Sequence, residues 1–194
     1  MKKVSYALGM SIANNIITSG VKNLEVEEFV KGMYAVVSGK DSEISMQEAG
    51  QLLNEYFTKL EAERSKTLTE EGANFLAENA KKEGVVTLSS GLQYKIITEG
   101  TGKVATAEDS VQCHYEGRLI NGTKFDSSYD RNEPATFGVT QVIAGWVEAL
   151  QLMPEGSKWQ LYIPYNLAYG ERGAGQSIPP YSTLIFDIEL LKVV

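Results

Sequence analysis

Apolar residues recur every three or four positions through the first part of the chain, which predicts amphipathic helices. The first series is Val4, Ala7, Leu8, Ile12 and Ile16, and the second is Val26, Phe29, Val30, Met33, Val36 and Val37. Gly20 and Gly39 follow these two series and are the expected helix ends. All five prolines lie after residue 133, so no proline interrupts a helix before that point.

A third helix is predicted from Ser45 onwards. Ser45 and Glu48 have the spacing of a capping box, in which each side chain accepts a hydrogen bond from a free amide of the first turn. An apolar stripe follows, made of Ala49, Leu52, Leu53, Tyr56, Phe57 and Leu60. Beyond it charged residues dominate, which is typical of a solvent-bridging connector or an unstable helix. If residues 45–82 are one helix, it is about 55 Å long, and Gly72 weakens it by about 1 kcal/mol relative to alanine.

From Gly84 the pattern changes to that of β-strands. The predicted strands are residues 92–97, 110–119, 158–163 and 183–192. Asn121-Gly122 is a strong hairpin signal between two of the apolar runs. Residues 141–152 are expected to form a short helix that Pro154 ends. The chain is therefore expected to be α+β, with an all-α first part and an antiparallel sheet with one helix in the second.

Charge and hydrophobicity argue against two classes of partner. The net charge of −7 and the pI near 4.9 argue against nucleic acid, which requires a basic surface. No apolar stretch is long enough to cross a bilayer, so no membrane partner is expected. The first residues superficially resemble a secretion signal, but Ser5, Gly9 and Ser11 interrupt the apolar run, and we interpret it as an amphipathic helix. The expected location is cytoplasmic, or periplasmic if a signal peptide has been trimmed.

Covalent and metal chemistry find little support. The only cysteine, Cys113, precedes the only histidine, His114, and neighbours on a strand point to opposite faces. They cannot form a catalytic pair, and they are too few for a zinc site. Cys113 is expected in the core and His114 at the surface or hydrogen-bonded. Spacing alone leaves open a glycosidase-like pair of carboxylates, which nothing in the sequence favours. No metal or cofactor is expected.

Aromatic and aliphatic residues instead dominate the second half, with Asp126 directly after Phe125. Such a pocket suits a reaction that needs desolvation and shape, and rotation about an X-Pro bond is the leading candidate. The barrier of about 18–20 kcal/mol comes from amide resonance. Twisting the bond breaks the resonance and leaves a less polar carbonyl, so a less aqueous pocket can bind the twisted form preferentially.

Several sequence blocks occur together in a recognisable order. They are residues 111–117 (VQCHYEG), 122–128 (GTKFDSS), 141–146 (QVIAGW), 168–170 (AYG) and 178–190 (IPPYSTLIFDIEL). Together they resemble the signature blocks of the FK506-binding proteins. Residues 5–9, 72–79 and 90–95 also resemble the two-domain bacterial subgroup typified by the macrophage infectivity potentiator, so the resemblance covers essentially the whole chain.

The resemblance implies a peptidyl-prolyl cis-trans isomerase (EC 5.2.1.8) in which a half-barrel of antiparallel strands wraps round a short helix. It also implies protein substrates that contain proline, folding assistance and binding of FK506- or rapamycin-class macrolides. Trp146 corresponds to the floor of the proline pocket. The implied walls are Tyr115, Phe125, Phe137, Val142, Ile143 and Phe186. Taken without the resemblance, Trp146 and Phe137 are expected to be plain core, like Tyr162 and Ile188.

Polar roles also come from the resemblance. Tyr169 corresponds to the hydroxyl that bonds a substrate carbonyl, and the Ile143 amide to a second donor. Asp126 corresponds to the carboxylate near the twisting amide, with Arg131 as its partner; a purely structural ion pair is the alternative. Ile178 lies in the loop that covers the site. The implied catalytic set is Asp126, Tyr169, Tyr115, Phe125 and Trp146. Ala135 stands where many members have an aromatic wall, so one side of the pocket is expected to be more open. Ala174 and Ser177 replace bulkier residues in the covering loop, and the three departures bear on substrate preference and macrolide affinity.

Three segments are expected along the chain. Residues 1–60 form a helical dimerisation domain, residues 61–83 the connecting part of a long helix, and residues 84–194 the isomerase domain. A helical domain of about 60 residues buries too little surface to be robust alone, so a homodimer is expected. Candidate interface residues are Leu8, Ile12, Met33 and Val37, with intramolecular core as the alternative. The competing function is a holdase or proline-segment binding module with little turnover.

Overall fold

Four α-helices and seven β-strands make up the computed structural model, which describes residues 1–194. The helices are α1 (Lys2–Thr18), α2 (Val26–Ser38), α3 (Met46–Asn79) and α4 (Ala144–Leu150). The chain forms two compact units, Met1–Arg64 and Ser65–Val194. The division between them falls within α3.

The first unit consists of α1, α2 and the beginning of α3. The predicted helix signals are confirmed, because Gly39 caps α2 in the left-handed conformation with φ of 65° and the Glu48 amide donates to Ser45 Oγ over 3.1 Å. Neither α1 nor α2 has a buried residue, and no other residue among 1–64 is buried. The candidate interface residues Leu8, Ile12, Met33 and Val37 are exposed, so none of them is core within one chain.

The third helix continues through Gly72 without a break and ends at Asn79. It is slightly shorter than expected because residues beyond Asn79 form a turn, in which the Val85 amide donates to the Lys82 carbonyl over 3.2 Å. Gly72 and Asn79 are buried. The expectation of a solvent-bridging helix is therefore wrong for its last turns.

The second unit contains a seven-stranded sheet in which every pair is antiparallel. The strands are β1 (Val85–Thr87), β2 (Gln93–Thr98), β3 (Ser110–Leu119), β4 (Lys124–Ser127), β5 (Ala135–Gly138), β6 (Lys158–Ile163) and β7 (Leu184–Val193). Their order is β1-β2-β6-β7-β3-β4, and β5 also pairs with β3. The predicted antiparallel α+β fold is thus confirmed, including the hairpin at Gly122, whose φ is 87°.

Two details of the sheet domain differ from expectation. The short strands β1 and β5 were not predicted. The helix expected over residues 141–152 is only α4, because Val142 and Ile143 are extended, with ψ of 176° and 150°. A 3₁₀ turn, Val139–Gln141, precedes them. The core lies between the sheet and α4, whose buried residues include Trp146, Ala149 and Leu150.

Candidate active site

A cavity of about 560 Å³ opens between α4 and the sheet. Its lining residues are Tyr115, Phe125, Asp126, Phe137, Gln141, Val142, Ile143, Trp146, Tyr169, Ala174, Ser177, Ile178 and Phe186. The structure therefore brings together every residue predicted for the site except Arg131, which lies behind Asp126. Most of these side chains are apolar, so the cavity offers a proline ring an environment with little water.

Trp146 lines the cavity from within the hydrophobic core. Its side chain is only 4% exposed, yet it lines the opening. Tyr115, Phe137 and Phe186 contact it edge to face, with ring centroids 5.4, 5.8 and 5.2 Å away. Such contacts hold the indole in one orientation, since edge-to-face pairs are favoured geometries. Trp146 is consequently both a core residue and a pocket residue, and the two interpretations offered by the sequence do not exclude each other.

Alternation along β3 explains how the aromatic walls form. Val111, Cys113, Tyr115 and Gly117 are buried and their neighbours are less so, as expected for side chains that alternate between the faces of a sheet. Gly117 leaves room for two rings. A Cβ there would lie 2.5 Å from an atom of Phe125 and 2.6 Å from one of Phe186.

A closed set of hydrogen bonds joins three polar side chains at one wall. The Tyr115 hydroxyl donates to Asp126 Oδ2 over 2.5 Å, and Arg131 Nη1 donates to Asp126 Oδ1 over 2.5 Å. Arg131 Nη2 donates to the Tyr115 oxygen over 2.9 Å. Burial acts to raise the pKa of Asp126, but the hydrogen bonds from Tyr115 and Arg131 outweigh it and the pKa is lowered. The carboxylate is therefore ionised at neutral pH.

Two groups can donate hydrogen bonds to a bound peptide. Tyr169 is 40% exposed, and its pKa is raised by burial and by the charge of Asp126, so its hydroxyl keeps its proton. Ile143 is the N-cap residue of α4. Amides at a helix start have no acceptor within the helix, and Ile143 lines the cavity, so its amide is a candidate donor to a ligand.

A short loop covers the other side of the cavity. Ala174 and Ile178 exchange two backbone hydrogen bonds, of 2.9 and 3.1 Å, and Ile178 is only 6% exposed. Gly173 has a φ of 65°, and a Cβ there would strike the backbone of residues 178–180. The loop is thus a tightly closed turn that presents Ile178 to the cavity.

Gln141 lines the cavity although the sequence did not single it out. Its position directly before Val142 and Ile143 was the available signal. Ala135, which the sequence placed at a missing wall, does not line the cavity; it lies on β5 opposite Cys113.

Cys113 and His114, which the sequence analysis rejected as a catalytic pair, lie away from the cavity. Cys113 is fully buried, which raises the pKa of its thiol to about 12. The His114 ring lies 2.9 Å from the Ser128 hydroxyl and stacks on Tyr129. Neither residue reaches the cavity, which confirms their expected structural roles.

Comparison with known proteins connects this site to a family. The family model described as FKBP-type peptidyl-prolyl cis-trans isomerase matches residues 102–191. A second, described as the domain amino terminal to FKBP-type peptidyl-prolyl isomerase, matches residues 1–96. Together the two models cover nearly the whole chain.

Individual relatives extend over both parts. The FKBP-type 22 kDa peptidyl-prolyl cis-trans isomerase of Escherichia coli is 46% identical, over 99% of this chain and 95% of that protein. Outer membrane protein MIP of Legionella longbeachae is 41% identical, over 98% of this chain and 84% of that protein. The crystal structure of FkpA from Escherichia coli matches with a TM-score of 0.79 and 35% identity, covering 98% of this chain and 95% of that one.

Proposed function

The chain belongs to the FKBP-type peptidyl-prolyl cis-trans isomerases, and from this premise we propose that the cavity above Trp146 is where X-Pro bonds rotate. The protein accelerates the cis-trans isomerisation of such bonds in protein substrates and so assists folding. The single observation that carries the placement is an open, aromatic-lined cavity with an indole in its lining.

The cavity can lower the barrier without forming a covalent bond. Amide resonance sets a barrier of about 18–20 kcal/mol, and the planar form is better solvated by water than the twisted form. Inside the cavity water is largely replaced by Trp146, Tyr115 and Phe186. The proline ring is held while the preceding carbonyl rotates, and catalysis is the preferential binding of the half-rotated bond.

Polar groups at the rim complete the proposed mechanism. The Tyr169 hydroxyl and the Ile143 amide donate to carbonyls that flank the rotating bond and hold the chain in a turn. Asp126, oriented by Tyr115 and Arg131, places a fixed negative charge beside the amide whose resonance is being broken. Phe125, Phe137, Val142, Ile178 and Phe186 exclude water, and Gln141 adds an uncharged polar group at the edge.

A protease-coupled assay with a prolyl tetrapeptide tests this function directly. We expect the protein to accelerate the slow cis-to-trans phase in proportion to its concentration. We also expect FK506 to suppress the acceleration, because a macrolide of that class would occupy the cavity in place of the proline ring. Unaltered isomerisation at micromolar protein would exclude the enzyme.

The competing function is a holdase that binds proline-containing segments with little turnover. The enzyme is favoured because Tyr115, Phe125, Asp126, Trp146 and Tyr169 are all present and line one cavity. Aggregation of a denatured client separates the two functions. Suppressed aggregation without isomerase acceleration would favour the holdase.

Self-association through the first unit is the second part of the proposal. Residues 1–64 include no buried residue, and a groove of about 660 Å³ runs between its three helices. The groove is lined by Ile12, Glu28, Phe29, Gly32, Met33, Val36, Val37, Ile44, Ala49, Leu52 and Leu53. An uncovered apolar surface of this kind marks an interaction site. We propose that a second copy of the chain covers it in a homodimer.

A cytoplasmic location is the third part. The only cysteine is free, as is usual in reducing compartments. As a separate observation, no helix is both long and apolar enough to cross a lipid bilayer. The periplasm is the competing location, because one relative is named an outer membrane protein. Cell fractionation with marker enzymes for each compartment distinguishes the two.

A further inference from the structure

The last turns of α3 are attached to the sheet domain along one face of the helix. Gln93, buried on β2, donates through Nε2 to the Leu76 carbonyl over 2.9 Å. It also accepts a 3.0 Å bond from Asn79 Nδ2 through its Oε1. The Phe75 ring lies 6.0 Å from the Tyr162 ring. Asn79 lies three positions after Leu76 and four after Phe75, so these residues lie along one side of the helix.

Gly72 continues this face and makes its closest approach. A Cβ at Gly72 would overlap the Thr183 hydroxyl and would lie 3.3 Å from the Thr183 Cβ. Thr183 is itself only 4% exposed. The backbone of α3 therefore lies directly against Thr183, and a side chain at position 72 would collide with the Thr183 hydroxyl.

Thr183 stands at the end of the covering loop, which comprises residues 173–183. The second half of this loop starts at Ile178, which lines the cavity and is bonded to Ala174. Within it the Tyr181 amide donates to the Gly170 carbonyl over 3.0 Å. The turn is closed further by the Ser182 hydroxyl, which donates to the Pro179 carbonyl over 2.7 Å. The turn between Ile178 and Thr183 is therefore short and closed by hydrogen bonds.

We propose that Gly72 is a positioning residue for the isomerase site, acting through Thr183 on the covering loop. By letting α3 lie directly on Thr183, it fixes the end of the loop and so the place of Ile178 over the cavity. The proposal rests on the proposed function of the cavity. It assigns the helix beyond Ser65 a part in substrate binding although none of its residues lines the cavity.

Gly72→Ala tests the proposal, with Gly50→Ala as the matched control. Both glycines lie in α3, but a Cβ at Gly50 meets nothing within 4 Å. In both variants alanine favours the helix, so a loss seen only at position 72 reports the contact. We expect Gly72→Ala to raise KM for a prolyl peptide about 3- to 10-fold and to change kcat less than about 2-fold, as for loss of uniform binding. Gly50→Ala should keep the wild-type KM.

Rescue separates a contact with Thr183 from a general disturbance of the helix. Thr183→Ala removes the hydroxyl that an alanine at position 72 would strike, so the Gly72→Ala/Thr183→Ala double variant should return towards the wild-type KM. Hydrogen exchange measured by mass spectrometry gives a second readout. Peptides spanning residues 173–183 should exchange faster in Gly72→Ala than in the wild type and slowly again in the double variant. Exchange of the β3 amides should be unchanged in both variants.

The outcomes of these experiments either support or overturn the role of Gly72. Wild-type KM and wild-type loop exchange in Gly72→Ala would overturn the proposal. If Gly72→Ala does not fold, a folded double variant with protected 173–183 amides supports the proposal, and a double variant as disturbed as the single one overturns it. An inactive wild-type protein would remove the proposed function, whereas the exchange measurements would still decide whether Gly72 positions the loop.

Discussion

At the scale of single residues, the Tyr115 hydroxyl joins a carboxylate to a guanidinium at the wall of the cavity. It donates to Asp126 and accepts from Arg131. Arg131 in turn donates to Asp126, so each group orients the other two. An ion pair this exposed adds little to stability. Its effect is to fix where the negative charge of Asp126 lies.

Removing the Arg131 guanidinium should therefore change how kcat/KM depends on pH. Burial acts to raise the pKa of Asp126, while Tyr115 and Arg131 lower it. The wild-type kcat/KM should accordingly be flat from about pH 5 to 8. Because the pKa of Asp126 is lower in the folded state, its ionised carboxylate stabilises the fold above the unfolded pKa of about 3.9. This stabilisation is lost as the pH falls through the folded pKa of Asp126. In Arg131→Gln the acid limb of activity should move to higher pH.

The pH–rate profile of Arg131→Gln should be measured beside that of Arg64→Gln. Arg64 lies in the first unit, and its replacement removes the same charge far along the chain from Asp126. Arg64→Gln should keep the wild-type profile. Superimposable profiles for all three proteins would show that Arg131 does not tune Asp126.

Tyr169→Phe isolates a single hydroxyl. A neutral hydrogen bond contributes about 0.5–1.5 kcal/mol, so kcat/KM on a prolyl peptide should fall about 2- to 12-fold. The melting temperature should hardly change, because the side chain is 40% exposed. Tyr6→Phe, at a tyrosine that is 74% exposed on α1, is the matched control. Equal rates for the two variants would remove the Tyr169 hydroxyl from the mechanism.

At the scale of elements, β3 supports the cavity through a residue without a side chain. Gly117→Ala should place a methyl group 2.5 Å from Phe125 and 2.6 Å from Phe186, and both rings line the cavity. Overpacking of this kind costs about 1–3 kcal/mol of unfolding free energy. Since the rings would be pushed into the cavity, kcat/KM should also fall, by about 10-fold or more.

Chemical denaturation and the peptide assay together check the Gly117 prediction. Lower stability with unchanged kcat/KM would mean that the rings move away from the cavity. Unchanged stability would mean that the strand itself shifts to accommodate the methyl group. Either result would contradict the role given to Gly117.

Elements with a long local pattern could be predicted from the sequence. Strand β3 alternates over ten residues, and its bounds match the prediction. The caps of α2 and α3 follow from Gly39 and Ser45, since capping is local chemistry.

The pocket residues followed from a resemblance rather than from the pattern, because Trp146 on an apolar helix face has the appearance of core.

Elements that depend on distant partners could not be predicted. Strands β1 and β5 have only three and four residues, and they exist because β2 and β3 offer an edge to pair with. The contact of Gly72 with Thr183 joins residues far apart in the chain. A sequence pattern gave Gly72 only as a weak point of a helix; packing makes it a point of close approach.

At the scale of the whole molecule, the first unit buries none of its residues within one chain. Its helices form the apolar groove that includes Met33 and Val37. The Val37 side chain in this groove is 85% exposed to water. Small domains that bury little surface usually need a partner to be stable. The prediction is that the groove is the dimer interface and that the isomerase unit does not need the dimer for chemistry on a short peptide.

Val37→Glu should separate these two properties. A glutamate in the groove would bury an unpaired charge on association, which is strongly unfavourable. Sedimentation equilibrium should therefore show the mass falling from twice 21.3 kDa to 21.3 kDa. Activity per chain on a tetrapeptide should stay the same, and refolding of a proline-limited protein client should become slower.

Val86→Glu makes the same change at a valine that is 43% exposed on β1 and should remain dimeric. If both variants sediment like the wild type, the groove is not the dimer interface.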